Sequence, residues 1–179
     1  MAIKNIWSLN IDEALVIDKI KQELKKDYEV FMPANAQLKD IDLLLFNLKK
    51  KKVSTMQVKG SRTYEPKKSE IERYGEGSAA WITIRKDSIF KPKYNINFFI
   101  FVLHNFINGN IKKEIKIDYL IIPTSKFREL VLKKKIRKGN KYHFFIWIDS
   151  KGKRVFDFNN RKEIIPYSKY LNDWDLLRR

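Results

Sequence analysis

Apolar positions along this chain recur at two spacings. Over residues 10–26 they return every three to four residues. Ile17, Ile20 and Leu24 form one helical stripe, with Glu13 in phase with it. Asp27 closes that helix. From residue 28 the spacing shortens to two or to unbroken apolar runs, which is strand periodicity. The pattern predicts strands over 28–32 and 42–46 (DLLLF), with a turn over 33–39 between them. A third strand covers 53–59 (VSTMQVK), stops at Gly60, and follows a basic hairpin tip, LKKKK. Residues 60–80 are polar and irregular and read as a long loop with a single helical turn. Strands follow over 81–85, 96–104 and 115–122, the last ended by Pro123. A helix is predicted over 124–135, with Thr124 or Ser125 as N-cap and lysines at its C-terminal end, where they suit the helix dipole. Residues 142–149 and 154–158 form a hairpin around SKGK. The tail, 168–177, reads as a short closing helix with Tyr170, Leu171, Trp174 and Leu177 inward.

Helix, three strands, loop, more strands, helix and strands make one α/β domain over residues 1–179, with a central mixed β-sheet flanked by helices. An apolar content of 44% supplies its core. The chain has no cysteine, which excludes a disulfide scaffold, a thiolate zinc site and a cysteine nucleophile. The longest apolar stretch, over 96–103, is too short to span a bilayer as a helix, and the first residues lack the apolar core of a signal peptide. The expectation is a soluble cytoplasmic protein without a membrane partner. Thirty-eight Lys and Arg against 21 Asp and Glu leave a net charge of +17, a field that draws polyanions, nucleic acid foremost. Lysine also accumulates when coding DNA is AT-rich, so charge alone leaves that partner open. No GxxxxGK[ST] loop is present, which disfavours an ATPase.

The chemistry-bearing pattern lies on the second and third strands. Asp42 opens the first of these. Gln57 and Lys59 lie two residues apart on the next, so their side chains share a face. The 14 residues between Asp42 and Gln57 fit an antiparallel hairpin. One sheet face can therefore hold a carboxylate, an amide oxygen and an ammonium. A hard divalent cation takes oxygen ligands and activates a bound water, and a lysine beside that water stabilises developing charge. In this arrangement Asp42 and Gln57 are metal ligands, the Val58 carbonyl is a further one, and Lys59 holds the attacking water.

The segment IDLLLFNLKKKKVSTMQVK resembles the motif of the PD-(D/E)XK nuclease superfamily over residues 10–62, and DYLIIPTSKF and YHFFIWID look like small bacterial members of it. The resemblance implies a restriction endonuclease-like core, a Mg2+ or Mn2+ cofactor, and hydrolysis of DNA phosphodiester bonds of the restriction or repair and resolvase kind. Two departures stand out. Gln57 replaces the second acid, as in some methyl-directed restriction enzymes and transposon-end nucleases. Ile41 stands where the motif's name has proline. Several members place a glutamate on the first helix, which implies a catalytic and metal-binding role for Glu13. Its competing role is a capping box with Asn10.

Arg62 and Ser61, directly after the motif, and Lys51 and Lys52 at the hairpin tip are candidate nucleic-acid contacts or else solvated polar residues, as is the run over 133–138. His104 and His143 lie in apolar strands without zinc-spaced partners and read as core or edge histidines. Tyr142, Phe144, Phe145 and Trp147 read as core. The favoured function is a metal-dependent endonuclease, with a homodimer compatible. The alternatives are a catalytically inactive nuclease-fold domain that binds nucleic acid, and an interaction module.

Overall fold

A computed structural model describes residues 10–33, 40–108, 113–134, 140–158 and 164–178. The turn expected over 34–39 and the lysines at 135 and 138 lie outside the described residues. Helix α1 (Ile11–Leu24) starts where the Asn10 side chain accepts the Asp12 N–H at 3.1 Å. It buries Glu13, Ile20 and Leu24, as expected from the sequence, but Val16 is buried in place of Ile17, which is half-buried; the chain then passes through a 3-10 turn (Lys25–Asp27). Strands β1 (Tyr28–Phe31), β2 (Leu43–Asn47) and β3 (Lys52–Gly60) form an antiparallel meander. Strand β6 (Phe98–Asn108) joins β3 in parallel, and β7 (Lys113–Pro123) pairs antiparallel with β6. The result is a five-stranded sheet of order β1-β2-β3-β6-β7.

The expected single sheet is a curled mixed sheet in two halves. After Gly60 the chain turns at Ser61, and β4 (Arg62–Tyr64) pairs with β5 (Gly77–Arg85). That opens a second five-stranded layer, β10-β9-β8-β5-β4, which adds β8 (Lys141–Asp149), β9 (Val155–Asp157) and β10 (Ile165–Pro166). The segment expected as loop therefore holds a strand and a helix, α2 (Lys68–Tyr74), before β5. Its polar residues carry no strong period. The Glu70 carboxylate accepts the Lys67 N–H, and Ile71 and Tyr74 pack on Ala79, Trp147 and Phe156. Strand β5 begins at Gly77, where an added Cβ would overlap the Ile148 carbonyl and the Trp147 indole, so only glycine fits there.

Helices α3 (Lys86–Phe90) and α4 (Thr124–Leu132) complete the domain. Phe127 of α4 lies between the layers, with ring centroids 4.7 Å from Phe99, 5.2 Å from Phe101 and 5.4 Å from Phe144. Lys134 pairs with Asp157 in the interior and ties the end of α4 to β9. The tail is two 3-10 turns (Ser168–Tyr170 and Trp174–Arg178) instead of one helix. Asn172 breaks it with a left-handed φ of 52° and a side chain that accepts the Tyr119 N–H. Tyr170, Trp174 and Leu177 are buried as expected, and Leu171 is half-buried. No described helix is long and apolar enough to cross a membrane.

Burial pushes the hydroxyls of Tyr64, Tyr119, Tyr142 and Tyr167 above their ordinary value of 10.0. With folded values raised, this stability is complete below pH 10 and is lost as the pH climbs past it. For enclosed Tyr167 the loss runs at up to about 1.4 kcal/mol per pH unit. The Tyr167 hydroxyl has no hydrogen-bond partner among the described residues. Tyr167→Phe is therefore expected to leave stability at pH 7 unchanged or raise it by up to about 1 kcal/mol, and to soften the alkaline loss. Denaturant titrations at pH 7 and pH 11 measure both. A loss of more than about 2 kcal/mol at pH 7 would show that the hydroxyl has a partner.

Candidate active site

Strand β3 is the central element of the first sheet half, and its two faces meet different neighbours. Gln57 and Lys59 are in register with Phe99 and Phe101, whose rings face α4 and the second layer. Paired residues of adjacent strands share a face, so Gln57 and Lys59 point to that side too. Met56, Val58 and Gly60 point the other way, toward α1. A Cβ at Gly60 would overlap the Asp12 carboxylate, and Tyr119, paired with Val102, donates to the Leu15 carbonyl at 3.5 Å.

Asp42 stands one step beyond the Leu43–Met56 pair and so falls opposite Gln57. Its N–H donates to the Met56 carbonyl at 2.9 Å, and its Oδ2 accepts the Val58 N–H at 2.8 Å. These bonds grip β3 on either side of Gln57. The Lys59 Nζ lies 3.6 Å from the same Oδ2. The side chains of Asp42 and Lys59 are 13% and 32% exposed, so the pair opens to solvent. Gln57 is 2% exposed, and its Oε1 has no hydrogen-bond partner among the described residues. A buried acceptor left without a donor costs about 1–3 kcal/mol.

The structure thus brings Asp42, Gln57 and Lys59 to one face, as their spacing predicts. Glu13 faces the sheet from the α1 side, the opposite face, and its Oε1 accepts from the Asn10 amide at 3.1 Å. The helical phase correctly turns this residue inward, but it cannot tell which face of the sheet the helix covers. The contact with Asn10 is local and runs between the two side chains at the start of α1. Val58 lies between Gln57 and Lys59, with its side chain buried and its N–H taken by Asp42.

The expected nucleic-acid contacts do not form one patch. The Ser61 hydroxyl accepts the His104 N–H at 3.0 Å and serves the turn between the layers. The Arg62 guanidinium lies over Trp81 at 5.7 Å. Lys51 and Lys52 sit at the far end of β3. Lys52 and Lys59 are seven residues apart, about 23 Å along an extended strand, so they cannot hold one phosphate.

A pair that periodicity did not reveal lies behind the site. The Asp12 Oδ1 and His104 Nε2 are 2.7 Å apart, beside Gly60. The nearest sequence signal is an acid in the first turn of α1, which alone reads as a favourable charge at a helix start. A cleft of about 540 Å3 opens elsewhere, between Asn105, Lys116 and Asp118 of the first layer and Gly77 and Asp149 of the second. None of Asp42, Gln57, Lys59 and Glu13 lines it.

Asp42, the Gln57 oxygen and the Val58 carbonyl fit a hard cation that keeps much of its water, as Mg2+ does. The orphaned Gln57 oxygen is the observation that favours such an ion. Among the described residues no three His, Asp or Glu side chains are grouped to hold a metal, so the donor set is one carboxylate with neutral oxygens. No protein-family model matches the chain. No curated protein and no solved structure matches it either. Fold and site together define an α/β protein with a carboxylate, amide and ammonium cluster at its central hairpin.

The Asp42 carboxylate also has a structural task that can be separated from chemistry. Asp42→Ala is expected to cost about 1.5–3 kcal/mol in metal-free buffer, because a charge-assisted bond to the Val58 N–H is lost. Asp42→Asn, which keeps an acceptor oxygen, costs less. Equal midpoints for wild type and Asp42→Ala in urea titrations would mean that the bond does not hold the hairpin.

Proposed function

We propose that this chain is a metal-dependent nuclease that hydrolyses DNA phosphodiester bonds, with its centre at Asp42, Gln57 and Lys59. One observation carries the reading. The Asp42 Oδ2 and Lys59 Nζ are 3.6 Å apart at the solvent-facing end of a cluster whose Gln57 oxygen is buried without a donor. A structural ion pair alone would not require a partnerless amide oxygen on the same face. The resemblance of the Asp42 to Lys59 segment to the PD-(D/E)XK motif supports the same assignment, and so does the net charge of +17.

In this reading Asp42 and Gln57, with the Val58 carbonyl, hold Mg2+ or Mn2+. The bound ion supplies charge neutralisation at the phosphate and a water of lowered pKa. The chain's own groups do the rest. Lys59 donates to the attacking water or to a phosphate oxygen and stabilises charge that develops there. Asp42 keeps Lys59 in place through the shared oxygen. The bonds from Asp42 to Met56 and Val58 keep Gln57 in register.

A second reading has its own observation. Glu13 lies on the opposite sheet face, so one carboxylate serves the cluster, as in a nuclease-fold domain that binds nucleic acid without cleaving it.

Lys59→Ala is expected to abolish Mg2+- or Mn2+-dependent nicking of plasmid and branched DNA. It leaves the unfolding midpoint within about 1 kcal/mol of wild type, since a part-exposed ion pair contributes little. Full cleavage by Lys59→Ala would refute the assignment. No cleavage by the wild type, together with no binding of either ion at millimolar concentration, would select the non-catalytic reading.

A further inference from the structure

The hairpin tip between β2 and β3 does not present its four lysines alike. Lys49 bonds the Asp27 carboxylate at 2.9 Å and is neutralised there. Lys51 occupies the turn itself, with a left-handed φ of 51°. Lys50 and Lys52 instead line a separate concavity of about 160 Å3, which Arg178 of the last 3-10 turn also lines. That is roughly the share of five waters in the liquid, enough for a phosphate group with part of its hydration.

The walls suit an anion. Lys50 and Lys52 bring two positive charges and Arg178 a third that its pairing with Asp175 partly offsets; no acid is among the described lining residues. Asn47, Ser54 and Asn97 add polar groups. The Asn97 Oδ1 accepts the Thr55 N–H at 2.8 Å, which leaves its amide nitrogen as a donor. Leu45, Phe98 and Leu177 form the apolar part of the wall, where charge interactions are less screened than in water. The cations are also preorganised. The Arg178 guanidinium donates to the Glu23 carbonyl at 2.7 Å and pairs with Asp175 at 2.8 Å. The Lys50 Nζ reaches the Arg178 carbonyl at 3.4 Å, across 128 residues of sequence. Surface lysines kept apart only by mutual repulsion would not be tied into one concavity in this way.

We infer that the concavity between the β2–β3 hairpin tip and the C-terminal 3-10 turn is a phosphate-group site, held by Lys50, Lys52 and Arg178. It lies at the opposite end of β3 from Lys59, about 23 Å along the strand, and is distinct from the proposed catalytic cluster. A backbone phosphate of nucleic acid is the source that fits the proposed function, and in that respect the inference rests on it. A free phosphate or nucleotide offers the same chemistry.

Two probes separate these sources: inorganic phosphate, followed by calorimetry, and a labelled random-sequence duplex, titrated over a range of salt concentrations. Lys52→Ala is the leading variant because Lys52 is exposed and its loss leaves the fold intact. Lys50→Ala/Lys52→Ala and Arg178→Ala extend it, Lys52→Arg tests rescue, and Lys151→Ala, an exposed lysine outside the concavity, controls for loss of charge. The site predicts phosphate binding about tenfold weaker in the double variant, restored toward wild type by Lys52→Arg and unchanged by Lys151→Ala. If the source is a backbone phosphate, the salt slope of duplex binding also falls by about 1. An unchanged slope with lost phosphate binding supports the site and assigns it to a free phosphate or nucleotide. Pocket variants that match Lys151→Ala with both probes overturn the inference. Cleavage by Lys59→Ala is scored separately, so failure of the nuclease reading leaves the pocket result standing.

Discussion

A central strand covered on both faces has no water to satisfy its polar side chains, and β3 carries Gln57 into such a place. Phe99 flanks it in register on one side and Asp42 on the other, with α4 and the second layer beyond. Asp42 grips the strand on either side of Gln57. It closes the strand ladder with its own N–H and then uses its carboxylate as a further acceptor for β3. The same oxygen meets Lys59. Local hydrogen-bond geometry and candidate chemistry are therefore one arrangement, and a substitution at Asp42 perturbs both unless stability and activity are measured separately.

The turn at Gly60 and Ser61 decides what surrounds this cluster. Gly60 lets the Asp12 carboxylate come against the strand, where a Cβ would collide. The Ser61 hydroxyl takes the His104 N–H. Released from the first layer, the chain builds β4 and the second layer, which folds over the face bearing Gln57 and Lys59. Helix α1 is left on the far face with Glu13.

Positive charge follows the same division. The net charge of +17 acts at long range whatever the arrangement, but short-range contacts depend on which cations are free to make them. Lys49 is held by Asp27 and Lys134 by Asp157, while Arg62 lies on Trp81. Lys50 and Lys52 line a concavity without acids among its described lining residues, and Arg178, paired with Asp175, borders it. Counting basic residues therefore overstates the number available to a phosphate and misses the place where three of them meet.

Sequence alone determined what depends on neighbours a few residues apart. The inward phase of Glu13, Ile20 and Leu24 in α1, the β2–β3 hairpin, and the placement of Asp42, Gln57 and Lys59 on one face all follow from the periods of helix and strand and from a short connection. The strand and helix within residues 62–74 carry no such period, because α2 gains its stability from Trp147 and Phe156, more than seventy residues away. The break in the tail at Asn172 depends on the backbone of Tyr119. The face that α1 covers, the curl of the sheet and the joining of the hairpin tip to Arg178 were decided only by tertiary packing. Each is a choice between arrangements of equal local pattern, and contacts between distant segments separate them.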